Sequence, residues 1–264
     1  MSLYFCSFSS DSSGNSYLVW NENSKILIDA GISGKKIADG MEKLGLNPAE
    51  LDAVLFTHEH TDHICSAKVI AKKAKSAQIV CSEGTFSAIS DKVEKERWIK
   101  VKAGDMLTIG NIDVSCFALS HDAKEPIGYS FSYKDKRVSI ITDTGIITPE
   151  IYSYMEKSEL LVLEANHEIN VLKMGDYPYP VKQRILSDFG HLSNDTAAKY
   201  LAKFLEGRDD VPTILLAHMS QKNNTPELAY FAIKNVLEEE GFHFDKEYHM
   251  DILQKDKISR VFRV

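Results

Sequence analysis

Cysteine is scarce in this chain. The 264 residues hold four, Cys6, Cys65, Cys81 and Cys116, and no two form a C-x-x-C pair. That spread predicts four reduced, mostly buried small side chains in a cytosolic protein. Long apolar runs are missing as well: none approaches the ~20 residues that span a bilayer. The opening MSLYFCSFSSDSSGNSYLV lacks the positively charged start and apolar stretch of a signal peptide, so the expected location is the cytoplasm, with no membrane partner. There is no excess of positive charge. Lys and Arg number 31 against 38 Asp and Glu, a formal net charge of −7. An acidic balance gives no whole-protein pull toward nucleic acid or membrane, although a local basic patch or a bound metal can supply one. No Pro/Gly/Ser-rich linker, low-complexity tract or internal repeat divides the chain, so residues 1–264 are expected to form a single domain. No G-x-G-x-x-G follows a strand, which argues against a Rossmann fold.

What is present is ordinary globular composition, 44% apolar and 26% charged residues, at a length that supports a sizeable core. Short strands are expected at 3–8, 16–20, 25–29, 53–56, 78–81, 160–164 and 213–217. Hairpins are expected at 106–109 with 112–119, around Gly110-Asn111, and at 127–133 with 137–142. Helices are expected at 34–46, 66–77, 85–93, 181–189, 195–205 and 226–240. The last has Thr225 as N-cap, Pro226 at its first position and Gly241 just past its end. Hairpins mixed with βα units imply an α/β (α+β) fold of two mixed sheets packed together, with helices outside.

The densest chemistry lies in Thr57-His58-Glu59-His60-Thr61-Asp62-His63, where three imidazoles and a carboxylate fall within six residues. In an extended segment, positions i and i+2 point to one side, so His58 and His60 can share a metal ion. Asp62 and His63, past a bend, can face a second. Other metal-capable residues also follow apolar strands: His121 after VSCFAL, Asp143 after VSIIT and His218 after TILLA. Seven ligands fit two ions, His58, His60 and His121 on one, Asp62, His63 and His218 on the other, with Asp143 between them. Imidazole and carboxylate without thiolate suit Zn²⁺ or Mn²⁺, with Fe or Co also compatible. Two such cations lower the pKa of a bridging water and supply a hydroxide nucleophile at neutral pH.

This order and spacing resemble the metallo-β-lactamase superfamily, whose hallmark is H-x-H-x-D-H followed by distant His, Asp and His. The resemblance covers essentially the whole chain. It implies a four-layer αβ/βα sandwich, metal-dependent hydrolysis, and a supporting role for Asp29 in ILIDAG beneath the metal loop. The stretches SSDSSGNSYLV, SHDAKEPIGYSF, LEANHE, YPVKQRILSDFGHLSND and LLAHMSQKNNTPELA are similar to the YycJ/WalJ-like branch. For that branch the resemblance implies a nuclease, with 5′-to-3′ exonuclease activity on DNA. The long insertion of the β-CASP nucleases and the arm of the tRNA 3′-processing enzymes are missing. Position 60 is His where flavodiiron oxygen reductases carry an acidic residue.

Asp62, Asp143 and His191 are the candidate catalytic residues. His191 is either a cap junction between helices, with Gly190 ending one and Asn194 capping the next, or a phosphate or leaving-group contact. Glu164 is a candidate to orient a ligand histidine, and His167 to line the cleft. The Ser9–Ser16 loop, with Asn15, is a turn whose amides would suit an anion. Lys68, Lys72, Lys73 and Lys75, with Lys182, Arg184 and Lys222, would flank a nucleic-acid path. His243 and His249 read as surface residues. The same metal core serves small-molecule esters, thioesters, lactones and cyclic phosphodiesters, and a non-catalytic metal-stabilised module is the third class. The sequence leaves the oligomeric state open.

Overall fold

Alternation along the strands sets the layers. Ile26 and Ile28 pack into one core while Leu27, between them, packs into a second. Val162 joins the first core, and its neighbours Leu161 and Leu163 join a third. A strand buried on both faces has no polar alternation, which is why AVL, ILI and LLVL read as unbroken apolar runs.

The computed structural model describes residues 2–264. One seven-stranded sheet contains β1 (Tyr4–Ser9), β2 (Ser16–Trp20), β3 (Lys25–Ile28), β4 (Ala53–Leu55), β5 (Gln78–Cys81), β6 (Trp98–Lys100) and the last strand, β14 (Phe262–Arg263), in the order β14-β1-β2-β3-β4-β5-β6. The other contains β7 (Met106–Ile109), β8 (Ile112–Ala118), β9 (Ile127–Tyr133), β10 (Lys136–Ile141), β11 (Leu160–Glu164), β12 (Thr213–Ala217) and β13 (His249–Ile252), in the order β13-β12-β11-β10-β9-β8-β7. Both sheets are mixed, with antiparallel hairpins at one side and parallel strands from β3 to β6 and from β10 to β13.

The first core lies between the sheets, with Phe5, Tyr17, Tyr129, Phe131 and Val162 fully buried. Helices α1 (Gly34–Lys43), α2 (Thr61–Ile64), α3 (Ala67–Lys73) and α4 (Glu83–Ile89) cover one outer face through Ile37, Met41, Ile64, Ile70 and Phe86. Helices α5 (Pro149–Met155), α8 (Asn194–Leu205) and α9 (Pro226–Glu239) cover the other through Ile151, Leu201 and Ile233. The result is the expected four-layer sandwich. Two further helices, α6 (Ile169–Met174) and α7 (Tyr179–Ile185), contribute no side chain to these three cores.

The boundaries differ where local geometry overrides periodicity. Helix α1 stops at Lys43 because Leu44 bonds back to Met41 O and Gly45 turns left-handed at φ 72°. Helix α7 starts earlier and ends four residues sooner than expected. Ser193, not Asn194, caps α8. The reading of the sequence did not contain α2, α5, α6, β6, β13 or β14, which are too short to show a period. Cys6, Cys81 and Cys116 are buried and Cys65 is exposed, all as thiols. His243 and His249 are exposed. No helix among the described residues is long and apolar enough to cross a membrane.

Candidate metal centre

Parallel pairing points the C-terminal ends of β3, β4, β10, β11 and β12 to one edge of the sandwich, where backbone leaves the ladder and side chains can converge. The strands deliver Asp29, Thr57-His58, Asp143, Glu164 and His218 there. Strand β8, two antiparallel pairings from β10, runs the same way and delivers His121. Asp29, Asp143 and His218 adopt left-handed backbone, with φ of 59°, 59° and 55°. For a residue with a Cβ that conformation costs roughly 1–2 kcal/mol, and Asp tolerates it best because its side chain bonds locally. It turns the chain within one residue of leaving the strand and so aims the side chain back over the sheet edge.

After β4 the chain runs extended to His60, then turns through α2, with His63 and Ile64 amides bonded to His60 O. The imidazoles of His58, His60 and His121 form a triangle with centroids 4.6, 5.0 and 5.0 Å apart. Nδ1 of His60 lies 3.2 Å from Nε2 of His121, whose own Nδ1 faces Gly190 O at 3.2 Å. On the other side, Asp62 Oδ2 lies 3.3 Å from His63 Nε2 and 3.5 Å from His218 Nε2. Asp143 reaches both groups: Oδ1 is 3.8 Å from His121 Nε2 and 3.3 Å from His218 Nε2, and Oδ2 is 3.4 Å from His63 Nε2. His58, His60 and His121 thus form one donor group, and Asp62, His63 and His218 another, each with donor atoms within 4.8 Å of one another.

The fit to cations follows from atoms left without partners. His58 Nε2, Asp143 Oδ2 and His218 Nε2 are buried and make no hydrogen bond. An orphaned buried polar atom costs about 1–3 kcal/mol, and three together at one point call for a shared ligand. The donors are imidazole and carboxylate only, which suits divalent ions of the zinc and manganese kind. The electrostatics agree. Burial opposes the charged form of His63, yet Asp143, Asp29 and Asp62 outweigh it and raise its pKa well above the ordinary value. Burial likewise opposes charge on His218, and Asp143, Asp62 and Glu164 overcome it. Burial first, then the neighbouring His63, His121 and His60, pushes His58 well down.

Two buried acids hold the histidines. Asp29, 1% exposed, accepts the Thr57 amide at 2.9 Å on Oδ1, and Thr57 Oγ1 at 2.9 Å and His63 Nδ1 at 2.8 Å on Oδ2. It ties the start of the H-x-H-x-D-H segment to its end. Glu164, fully buried, faces His191 Nδ1 at 2.7 Å and His218 Nδ1 at 2.9 Å through Oε1, and accepts the Thr144 and Leu192 amides on Oε2. Burial disfavours its charge, but His191 and His218 outweigh that and hold the carboxyl far below its usual range.

The cleft over this edge has a volume of about 210 Å³. Besides the candidate ligands it is lined by His191, Asn166, Tyr177, Arg184, Ser12 and Ser220, among others. His167 does not line it. Its ring is 1% exposed, with Nδ1 against Asn166 Oδ1 at 3.3 Å, and Asn166 takes the cleft position while bonding His218 O. The Ser9–Ser16 loop forms the expected turn between β1 and β2, and its amides are taken by protein acceptors instead of facing an anion. The amides of Ser12, Gly14 and Asn15 donate to Met219 O, Asp11 O and Asp62 O, and that of Ser13 to Asp11 Oδ1. Asn15 instead packs beside the site, its Nδ2 3.3 Å from His63 Nε2. Lys68, Lys72, Lys73 and Lys75 are exposed and line no part of the cleft. Arg184 does line it, paired with Asp122 at 2.6 Å. Sequence reasoning missed Tyr177 and Asn166, and the prolines around Tyr177-Pro178-Tyr179-Pro180 were the available signal for a fixed wall.

The close approach of loops makes Gly31 indispensable. It donates to Asn15 O, and a Cβ there would lie 1.6 Å from Asp62 O. Gly31→Ala is expected to lose about 2–3 kcal/mol of stability by overpacking and to bind less metal, because Asp62 must move. Denaturant unfolding and elemental analysis measure both. Unchanged metal content would refute the coupling.

A family model described as Beta-lactamase superfamily domain matches residues 24–219. The chain is 37% identical over 245 residues to Exodeoxyribonuclease YycJ of Bacillus anthracis, covering 92% of each. It is 38% identical over 233 residues to Exodeoxyribonuclease WalJ of Streptococcus pneumoniae, covering 86% of each. In fold it is similar to the metallo-beta-lactamase fold protein YhfI of Bacillus subtilis, with TM-score 0.73 at 16% identity over 100% of this chain and 99% of that one. With two mixed sheets, candidate His/Asp ligands clustered at their shared edge and these relatives, the chain belongs to the metallo-β-lactamase superfamily, in the branch that holds YycJ and WalJ, and is a metal-dependent hydrolase.

Proposed function

We propose that this hydrolase is a phosphodiesterase with two divalent ions, Zn²⁺ or Mn²⁺, acting as a 5′-to-3′ exonuclease on DNA in the cytoplasm. The observation that carries the reading is the pair of donor groups meeting at Asp143, joined to the exodeoxyribonuclease names of two relatives at 37% and 38% identity. His58, His60 and His121 would hold one ion and Asp62, His63 and His218 the other, with Asp143 facing both. The ions would supply an acidified water and positive charge for the phosphoryl oxygens. Asp62 and Asp143 offer carboxylate oxygens to orient that water. Arg184, on the cleft wall, offers the cation outside the ligand set that can leave Asp122 for a phosphate. A cleft of about 210 Å³ has room for one phosphodiester beside the candidate ligands. The same size favours the second reading, a small ester, thioester, lactone or cyclic phosphodiester hydrolase.

His191 is assigned the leaving group. Its Nδ1 is taken by Glu164, so Nε2 is the ring edge available to hydrogen-bond or protonate the departing oxygen. His191→Ala is expected to lower kcat on DNA by about 10²-fold or more, and much less on bis-p-nitrophenyl phosphate, whose leaving group needs no proton. Equal losses on both substrates would remove His191 from this role. The reading as a whole is tested with single-stranded and duplex DNA labelled at either end, plus Mn²⁺ or Zn²⁺. A 5′ label should be released at once and a 3′-labelled strand shorten progressively. Inert DNA beside rapid turnover of a thioester or small diester would transfer the assignment to the second reading.

A further inference from the structure

Tyr177-Pro178-Tyr179-Pro180 is stiff by construction. Each proline fixes its own φ; Pro178 caps α7 and Pro180 lies in its first turn, so the backbone at both tyrosines is held at little entropic cost. Helix α7, which starts at Tyr179, has two working faces. Val181, Arg184 and Ile185 line the metal cleft together with Tyr177. On the other side Tyr179, Lys182 and Leu186, with Lys173 of α6, line a shallow groove of about 330 Å³. The large apolar side chains here lie in solvent: Met174 is 82%, Tyr179 72% and Phe189 60% exposed. Leu172 anchors α6 and Ile185 anchors α7 by burial, and these are their only fully or largely buried side chains, so most of both helices' apolar surface stays outward.

Phe189 is not a loose loop residue. Asp188 O accepts from Ser120 Oγ at 2.7 Å, and Gly190 O faces His121 Nδ1 at 3.2 Å. Its backbone is therefore pinned on both sides, two residues from His191 in the cleft, while its ring stays in water. Tyr179 and Leu186 share one groove, and exposed apolar groups held on pinned backbone mark a binding surface. The groove itself carries two lysines and no acid in a chain of net charge −7, and the Lys222 ammonium lies 5.3 Å over the Tyr177 ring, while the acids nearby in sequence, Asp176 and Asp188, lie outside its lining. Rings interleaved with cations fit a polyanion with aromatic faces, and such faces are available only on unpaired bases.

We propose that α6, α7 and Phe189 form the strand platform of the metal cleft. Bases of a single-stranded DNA end stack on Tyr179 and Phe189, Lys173 and Lys182 meet its phosphates, and the strand crosses α7 into the cleft. This rests on the exonuclease reading and adds where and in what state the DNA is held. Stacking of this kind ignores base identity, so little sequence preference is expected.

The test compares kcat/KM on single-stranded oligonucleotides with that on bis-p-nitrophenyl phosphate, using the full metal-loaded chain. Tyr179→Ala and Phe189→Ala should each lower the DNA-to-diester ratio by about 5- to 100-fold, through KM. Tyr179→Phe, which keeps the ring, should restore it. Lys173→Gln, at an exposed position, should raise KM for DNA and reduce its salt dependence. An unmoved ratio with DNA still cleaved would overturn the platform and leave the exonuclease standing. Turnover of the diester with no DNA cleavage by the unaltered protein would overturn both.

Discussion

Asp143→Asn should leave a folded protein that binds at most one metal ion per chain and turns over DNA at least about 10³-fold more slowly, the scale of losing one preorganised charge-stabilising group. The carboxylate contacts His121 on one side and His63 and His218 on the other, so removing its charge weakens both donor groups together. Asparagine is the informative substitution. Asp143 sits at φ 59°, where asparagine is tolerated and alanine is strained. Asp143→Ala should therefore lose the same activity and additional stability. Elemental analysis and end-labelled DNA read the first effect, and denaturant unfolding the second. Two ions per chain with activity within tenfold of the unaltered protein would show that Asp143 holds no metal.

Asp29→Ala should cost more stability than any other change at the site, about 3–5 kcal/mol, the range for breaking a buried charged pair from one side. Three donors would lose their acceptor: the Thr57 amide, Thr57 Oγ1 and His63 Nδ1. Alanine at φ 59° adds strain. Metal affinity should fall about 10- to 100-fold, the usual effect of losing a carboxylate behind a ligand histidine. Asp29→Asn keeps the backbone and one acceptor, and should recover part of the stability but not the orientation of His63. Unfolding curves with and without metal separate the two losses. An Asp29→Ala protein with unaltered metal affinity would reduce Asp29 to packing.

The two acids behind the site show how far the sequence could be read. Asp29 and Glu164 stood out because each ends an apolar strand, but nothing in their spacing says which histidine each meets. Glu164 takes both His191 and His218, which are 27 and 54 residues further along. His191 caps neither helix, since α7 ends at Ile185 and Ser193 caps α8; its Nδ1 meets Glu164 instead. Conversely, the 9–16 loop looked like an anion site by composition, yet its amides are consumed by Asp11, Asp62 and Met219, a fact of tertiary packing.

By itself, the sequence determined the sandwich and the candidate ligands. Period-2 burial, turn residues and the placing of His or Asp just after an apolar strand are local properties, and parallel strands necessarily bring such positions to one edge. The left-handed turns at Asp29, Asp143 and His218, the pairing of acids with histidines, and the use of α7 as the cleft wall emerge at the level of long-range packing. Those depend on contacts between residues tens to hundreds of positions apart. In a helix of seven residues, no periodicity distinguishes the face that meets a metal cleft from the face that meets water.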